Sequence, residues 1–213
     1  MSATPLTPAD VDALRRCIAR AGVALFPADT VYGLGCDPDS QAAVRRLYAL
    51  KGRPATRPAA VMFFALAPAL RALPELEPRE RAALRALLPG PLTLLLRNPQ
   101  RRFPLACGPG AGGSETLGLR VPLLPDNLAA LCAFERPLLQ SSANLSREPA
   151  ARLLADVPRQ LRTGADLVLD GGELPGLAST VLDLREYERA GEWRILRGGP
   201  VGSAELERAL APC

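Results

Sequence analysis

Lys51 is the only lysine among 26 basic residues. It opens the stretch "KGRPATRP", with Arg53 two positions on and Arg57 six. No acid occurs from Ser40 to Pro74 to neutralise these cations. Three such groups suit a triphosphate, each charge-assisted hydrogen bond contributing roughly 1.5–3 kcal/mol. Lysine offers a compact point charge where arginine offers a planar fork, so a site that needs the former resists drift to the latter. Pro54 and Pro58 stiffen the segment. In an extended chain, residues two apart project to one side, which would align Lys51, Arg53 and Arg57. The alternative is a solvated basic loop.

Four further stretches carry polar groups where a ligand can reach them. In "FPADTVYGLG" a strand end is followed by Asp29, Thr30, Tyr32, Gly33 and Gly35. Backbone can approach a ligand closely there, or the stretch is an ordinary tight turn. It is neither a dinucleotide fingerprint nor a P-loop. "LLQSSANLS" places Ser141, Ser142, Asn144 and Ser146 at the end of a buried strand, a ligand position in α/β sheets or an Asx/Ser turn. "ETLGLRVP" puts Thr116 and Arg120 on an otherwise apolar strand. A buried Arg120 needs an anion, either a structural acid or a substrate carboxylate. "ASTVLDL" and "ILRGGPV" offer Ser179, Thr180 and Arg197 beside glycines. The chain has no histidine. That removes the commonest general base and metal ligand. Without GxSxG or histidine, nothing supports a serine nucleophile.

The elements that must position these groups read as one α/β domain spanning residues 1–213. Thr7, Pro8 and Asp10 start a helix carrying Val11, Leu14 and Ile18, which Gly22 ends. "VALFP" is a strand, "DTVYGLGCDPDS" a loop, and Ser40 caps a helix with Val44, Leu47 and Tyr48. "AAVMFF" is a second strand. Helices are expected at 78–88, 126–134, 149–161 and 203–211. Strands are expected at 92–96, 117–121, 137–141, 166–170, 179–184 and 192–196, with a long flexible loop at 98–115. The alternation argues for a mixed rather than purely parallel sheet.

Composition bounds the rest. Hydrophobic residues are 48%, ample for a core, and net charge is +4. The first half is the basic half, and the acids collect between Asp156 and Glu192. This is either uneven surface charge or a basic concavity for a polyanion. Cys17, Cys36, Cys107, Cys132 and Cys213 form no CxxC pair, so reduced thiols and a cytoplasmic setting are expected. No signal-peptide core or membrane-length apolar run is present.

Taken in order, "FPADTVYGLG", "KGRPATRP", "PGPLTLLL", "LGLRVP", "SSANLS", "STVLDL" and "LRGG" resemble the YrdC-type L-threonylcarbamoyladenylate synthase family over nearly the whole chain. The resemblance implies a twisted mixed β-sheet with flanking helices around a large basic cavity. It implies a reaction of L-threonine, bicarbonate and ATP giving threonylcarbamoyladenylate and pyrophosphate, with Mg²⁺ arriving on the ATP phosphates. A transferase complex then passes the group to the adenosine next to the anticodon of tRNA. Carried over by motif, Lys51 and Arg53 act electrostatically in catalysis. Lys51, Arg53, Arg57, Thr116, Asn144 and Arg197 bind ATP; Thr30, Arg120, Ser142 and Ser179 bind threonine. The sequence departs from the family at Ala28, Arg57, Met62 and Arg147, and stops short of the additional C-terminal domain of longer members. Two other readings stay open: a module binding tRNA or double-stranded RNA, and a same-fold paralogue using carbamoyl phosphate or another acyl acceptor. Scarce aromatics, 4% of the chain, disfavour stacking on RNA.

Overall fold

The computed structural model describes residues 4–54, 57–108, 115–145 and 148–211. Ser146, Arg147, Cys213 and the middle of the expected 98–115 loop lie outside the described residues. Helix α1 (Pro8–Ala19) starts as its sequence dictates: the Thr7 hydroxyl and backbone N–H both donate to Asp10 Oδ2, at 2.7 and 2.8 Å. Its far end differs from expectation. Ala21, not Gly22, takes the left-handed conformation, with φ 55. Gly22 is needed because a Cβ there would sit 2.8 Å from the Cys17 carbonyl oxygen, while its N–H donates to that same oxygen.

The remaining elements are β1 (Ala24–Pro27), β2 (Tyr32–Cys36), α2 (Gln41–Leu50), β3 (Ala60–Met62), α3 (Leu66–Ala72), α4 (Pro78–Leu87), β4 (Leu92–Arg97), α5 (Pro104–Cys107), β5 (Thr116–Arg120), β6 (Leu138–Ser142), α6 (Arg159–Gly164), β7 (Leu167–Val168), β8 (Thr180–Asp183), α7 (Tyr187–Ala190), β9 (Arg194–Arg197) and α8 (Ser203–Ala209). Several expectations are corrected. "YGLGC" is a strand, not a loop. Its glycines leave room for side chains that cross it: a Cβ on Gly33 would meet Gln140 Nε2, and one on Gly35 would meet Phe26, each at 2.8 Å. The helix expected at 126–134 is a 3-10 helix over Asp126–Ala133. The one expected at 149–161 is broken by Pro158 into a 3-10 turn (Leu154–Asp156) and α6. Residues 98–108 are ordered rather than a flexible loop: Asn98 and Arg102 close a turn, and α5 buries Ala106 and Cys107.

Among the described residues, nine strands form one sheet in the order β7-β1-β2-β6-β3-β5-β4-β8-β9. The β1–β7, β3–β5 and β4–β8 pairs are parallel and the others antiparallel, the expected mixed sheet. Register separates its two faces. The row Cys36–Leu139–Val61–Leu119–Leu94–Leu182–Ile195 is apolar throughout. The neighbouring row Gly35–Gln140–Ala60–Gly118–Leu95–Asp183–Arg194 is mostly small or polar. Successive rows point to opposite faces. One face therefore packs on the core; the other carries these small and polar positions together with Phe26, Met62 and Leu138, which are fully buried. β7 ends the sheet after two residues, and β9 ends it with two arginines and a register shift at Val181/Leu182. Among the described residues no helix is long and apolar enough to cross a membrane.

Candidate active site

Strand β5 aims Thr116, Gly118 and Arg120 at the polar face while Leu117 and Leu119 are buried behind it. The Arg120 guanidinium is buried. Its Nη2 donates to Asp29 Oδ1 at 2.5 Å and to the Thr30 hydroxyl. Asp29 Oδ2 accepts from the Leu123 backbone N–H at 3.2 Å. Strands β6 and β3 lie between β2 and β5, so the β1–β2 turn reaches across the polar face to make these contacts. Met62 pairs with Arg120 in register, and both Met62 and Ala28 are fully buried.

A second segment crosses the molecule. Residues 169–179 leave β7 at one edge and enter β8 near the other. Gly176 N–H donates to the Thr30 carbonyl at 2.8 Å. The Tyr32 hydroxyl lies 2.7 Å from Asp170 Oδ1 and accepts from Gly171 N–H at 3.0 Å. The strap ends at Ser179, whose Oγ is 2.8 Å from Thr93 Oγ1. Arg197 Nη2 donates to the Ser179 carbonyl at 2.7 Å and to its Oγ at 3.2 Å. Ser179 and Arg197, which the motifs assign to different substrates, thus form one unit. Burial, then the nearby charge of Arg120, lowers the Arg197 pKa.

The cationic segment is arranged differently from its sequence reading. Lys51 caps α2 in helical conformation and Gly52 follows at φ 58, so the chain turns instead of extending. Lys51 points inward, 3% exposed, and its Nζ donates to the Ser142 carbonyl. Burial first, and Arg53 second, pull its pKa down to about 8. The Arg53 guanidinium lies 5.8 Å over the Tyr48 ring and donates to the Pro58 carbonyl. Arg57 stays exposed, its carbonyl accepting from Tyr48 at 2.8 Å. The three cations do not share one side of a strand. Arg53 nevertheless feels Arg57: burial chiefly, and that neighbouring charge in addition, lower its pKa.

Asn144 Nδ2 donates to the Leu145 and Glu148 carbonyls at 2.9 and 2.6 Å. Thr116 lines a cavity of about 670 Å³ together with Arg97, Asp183, Trp193 and Arg194. That cavity mixes arginines with carboxylates. Asp183 is held down to about 2, chiefly by Arg185.

Four buried side-chain atoms lack a hydrogen-bond partner among the described residues, and three of them are Arg53 Nε, Arg120 Nε and Asn144 Oδ1. Each such atom costs roughly 1–3 kcal/mol. Their concentration on residues singled out by motif marks a surface shaped for a polar ligand. The sequence assigns no role to Asp29, which the structure places at the centre of this site. It is the one acid between Asp12 and Asp37, and it stands at a strand end. A buried arginine in an apolar strand calls for such a partner.

Comparison with known proteins adds to this geometry. The Sua5/YciO/YrdC family model, described as "Telomere recombination", matches residues 16–199. A threonylcarbamoyl-AMP synthase of Pyrococcus abyssi is 33% identical over 187 residues, 87% of this chain and 52% of that protein. One from Xanthomonas campestris pv. campestris is 38% identical over 181 residues, covering 82% and 91%. Among solved structures, P. abyssi Sua5 complexed with L-threonine superposes with a TM-score of 0.81 at 26% identity, covering 97% of this chain and 58% of that one. The chain thus spans about half the length of the P. abyssi relative and most of the Xanthomonas one.

Proposed function

The chain belongs to the Sua5/YciO/YrdC family, and on that premise we propose that it is an L-threonylcarbamoyladenylate synthase. The L-threonine amine and bicarbonate condense to a carbamate, the new C–N bond replacing a C–O bond of bicarbonate that leaves as water, and this carbamate is unstable in water. One carbamate oxygen attacks the α-phosphorus of ATP, the bond to the β-phosphate oxygen breaks, and pyrophosphate leaves. The product is a mixed anhydride of the threonine carbamate with AMP. This chemistry asks for alignment and charge neutralisation more than for a protein base, which suits a chain without histidine.

Lys51, Arg53 and Arg57 hold the phosphates, with Lys51 and Arg53 neutralising charge as it develops. Thr116, Asn144 and Arg197 complete the nucleotide site. Thr30, Arg120, Ser142 and Ser179 hold threonine. Mg²⁺ belongs to the substrate: it enters on ATP, bound by phosphate oxygens. The adenylate goes on to a transferase complex that modifies tRNA next to the anticodon. Direct binding of tRNA or double-stranded RNA is a separate property, read from the salt dependence of filter binding without ATP.

The observation that carries the proposal is the set of unpartnered buried atoms on Arg53, Arg120 and Asn144, residues that three separate family motifs supply. The test is incubation with ATP, bicarbonate and single amino acids, following pyrophosphate. Release should depend on L-threonine and vanish in Lys51→Ala. Equal release with every amino acid, or none with any, would refute the proposal.

A further inference from the structure

Two part-buried arginine–carboxylate pairs in this molecule use the guanidinium fork, whereas pairs with a more exposed arginine, such as Arg15–Asp12 and Arg136–Asp37, make single contacts. Arg102 meets Glu75 through Nε and Nη2 at 3.0 and 3.1 Å. Arg185 meets Asp183 the same way, at 2.8 and 2.7 Å. Two parallel bonds are the most favourable geometry available to such a pair. The Arg120–Asp29 pair departs from it. It is more deeply buried than either, the side chains being 5% and 4% exposed, so its geometry matters most to stability. Yet the contact is made through one nitrogen. Nη2 alone serves both Asp29 and Thr30, and Nε is buried without a partner among the described residues. The second carboxylate oxygen of Asp29 is turned away to the Leu123 N–H.

We propose that Asp29 is a positioning residue: it holds the Arg120 guanidinium through Nη2 so that the Nε–H is left to receive the substrate carboxylate. This rests on the reading of Arg120 as the threonine-binding arginine. Thr30 accepts from the same nitrogen, and the Leu123 N–H donates to Asp29 Oδ2, so both partners of the pair are held in this single contact. The arrangement also sets the charge of the site. Asp29 and Arg120 together are neutral, so the pair orients a bound carboxylate without adding net charge.

The experiment compares steady-state pyrophosphate release in wild type, Asp29→Asn, Asp29→Glu, Arg120→Lys and the Asp29→Asn/Arg120→Lys double variant. Asp29→Asn should raise the KM for L-threonine on the order of tenfold, the loss of one charge-assisted contact, while the KM for ATP moves less than about twofold. Asp29→Glu should recover part of the loss. A residue acting only through Arg120 gives non-additive effects. The double variant should therefore bind threonine no worse than Arg120→Lys alone. Multiplying effects in the double variant, or equal rises in both KM values for Asp29→Asn, would overturn the positioning role. Should Asp29→Asn fail to fold because it strands a buried cation, Asp29→Glu and the double variant still decide. Wild-type release that ignores threonine sinks the functional reading itself. Threonine-dependent release in wild type with an unchanged KM in Asp29→Asn sinks only this inference.

Discussion

Lys51 combines a buried amine with a site whose chemistry needs a cation. Desolvation brings its pKa from 10.5 down to about 8, so the folded protein disfavours the charge that phosphate binding requires. Between about pH 8 and 10.5 the unfolded chain keeps a proton that the folded one has lost, so the Lys51 contribution to unfolding free energy should rise with pH across that window. The buried thiols of Cys17 and Cys36, pushed up to about 11 and about 12, act with the opposite sign above about pH 9. Denaturant titrations of wild type and Lys51→Met at pH 7.5, 9 and 10 isolate the Lys51 contribution as the difference between the two, which one proton limits to about 1.4 kcal/mol for each pH step of one. Apparent ATP affinity should run the opposite way, falling as pH rises through about 8, with the midpoint moving upward when ATP is bound. An affinity flat from pH 7 to 9.5 would remove Lys51 from the phosphate site. At this scale the sequence is informative about identity and poor about direction. A lone lysine in an arginine-rich chain is visible in it. The inward turn at Gly52 is not, because alternation assumes an extended chain and Gly52 sits at φ 58.

Among the elements, the strap over 169–179 supports the proposed threonine end of the site, since its Gly176 N–H donates to the Thr30 carbonyl and its last residue is Ser179. Gly176 makes the crossing possible. Its φ is +81, and a Cβ there would lie 2.3 Å from Arg152 Cγ. Gly176→Ala should cost on the order of 1–2 kcal/mol in unfolding free energy. It should also raise the KM for threonine more than that for ATP. Equal effects on both would mean that the strap supports the whole sheet rather than one subsite. The strap is not legible in the sequence because glycines, prolines and short polar runs carry no period. β2 is hidden for a related reason: Gly33 and Gly35 argue against a strand unless one knows that Gln140 and Phe26 fill the space above them. The strongly periodic elements, α1, α2, α4 and β4, are legible because burial of one face fixes their spacing. Residues 149–161 show the limit, where Pro158 overrides an apparent helical pattern.

For the whole molecule, both faces of the sheet contribute to stability. On the face that Gly35 and Gln140 share, Phe26 stands edge-on to Phe64 at 5.4 Å, and Phe64 to Phe134 at 6.1 Å, linking β1, the end of β3 and the turn after the 3-10 helix. Phe64→Ala should lower unfolding free energy by about 3–5 kcal/mol, measured by denaturant titration. A loss below about 1 kcal/mol would mean that this aromatic cluster is peripheral to the core. Mixed strand direction is legible from the alternation of elements, but strand order is not, because it depends on crossovers such as the strap.

The blunt ends of the sheet carry a consequence for company. A stub two residues long on one flank, and two guanidinium-bearing positions with slipped pairing on the other, offer no template for an incoming strand. On the proposed function, a macromolecule that collects the activated amino acid is expected to recognise side chains and loops here rather than extend the sheet.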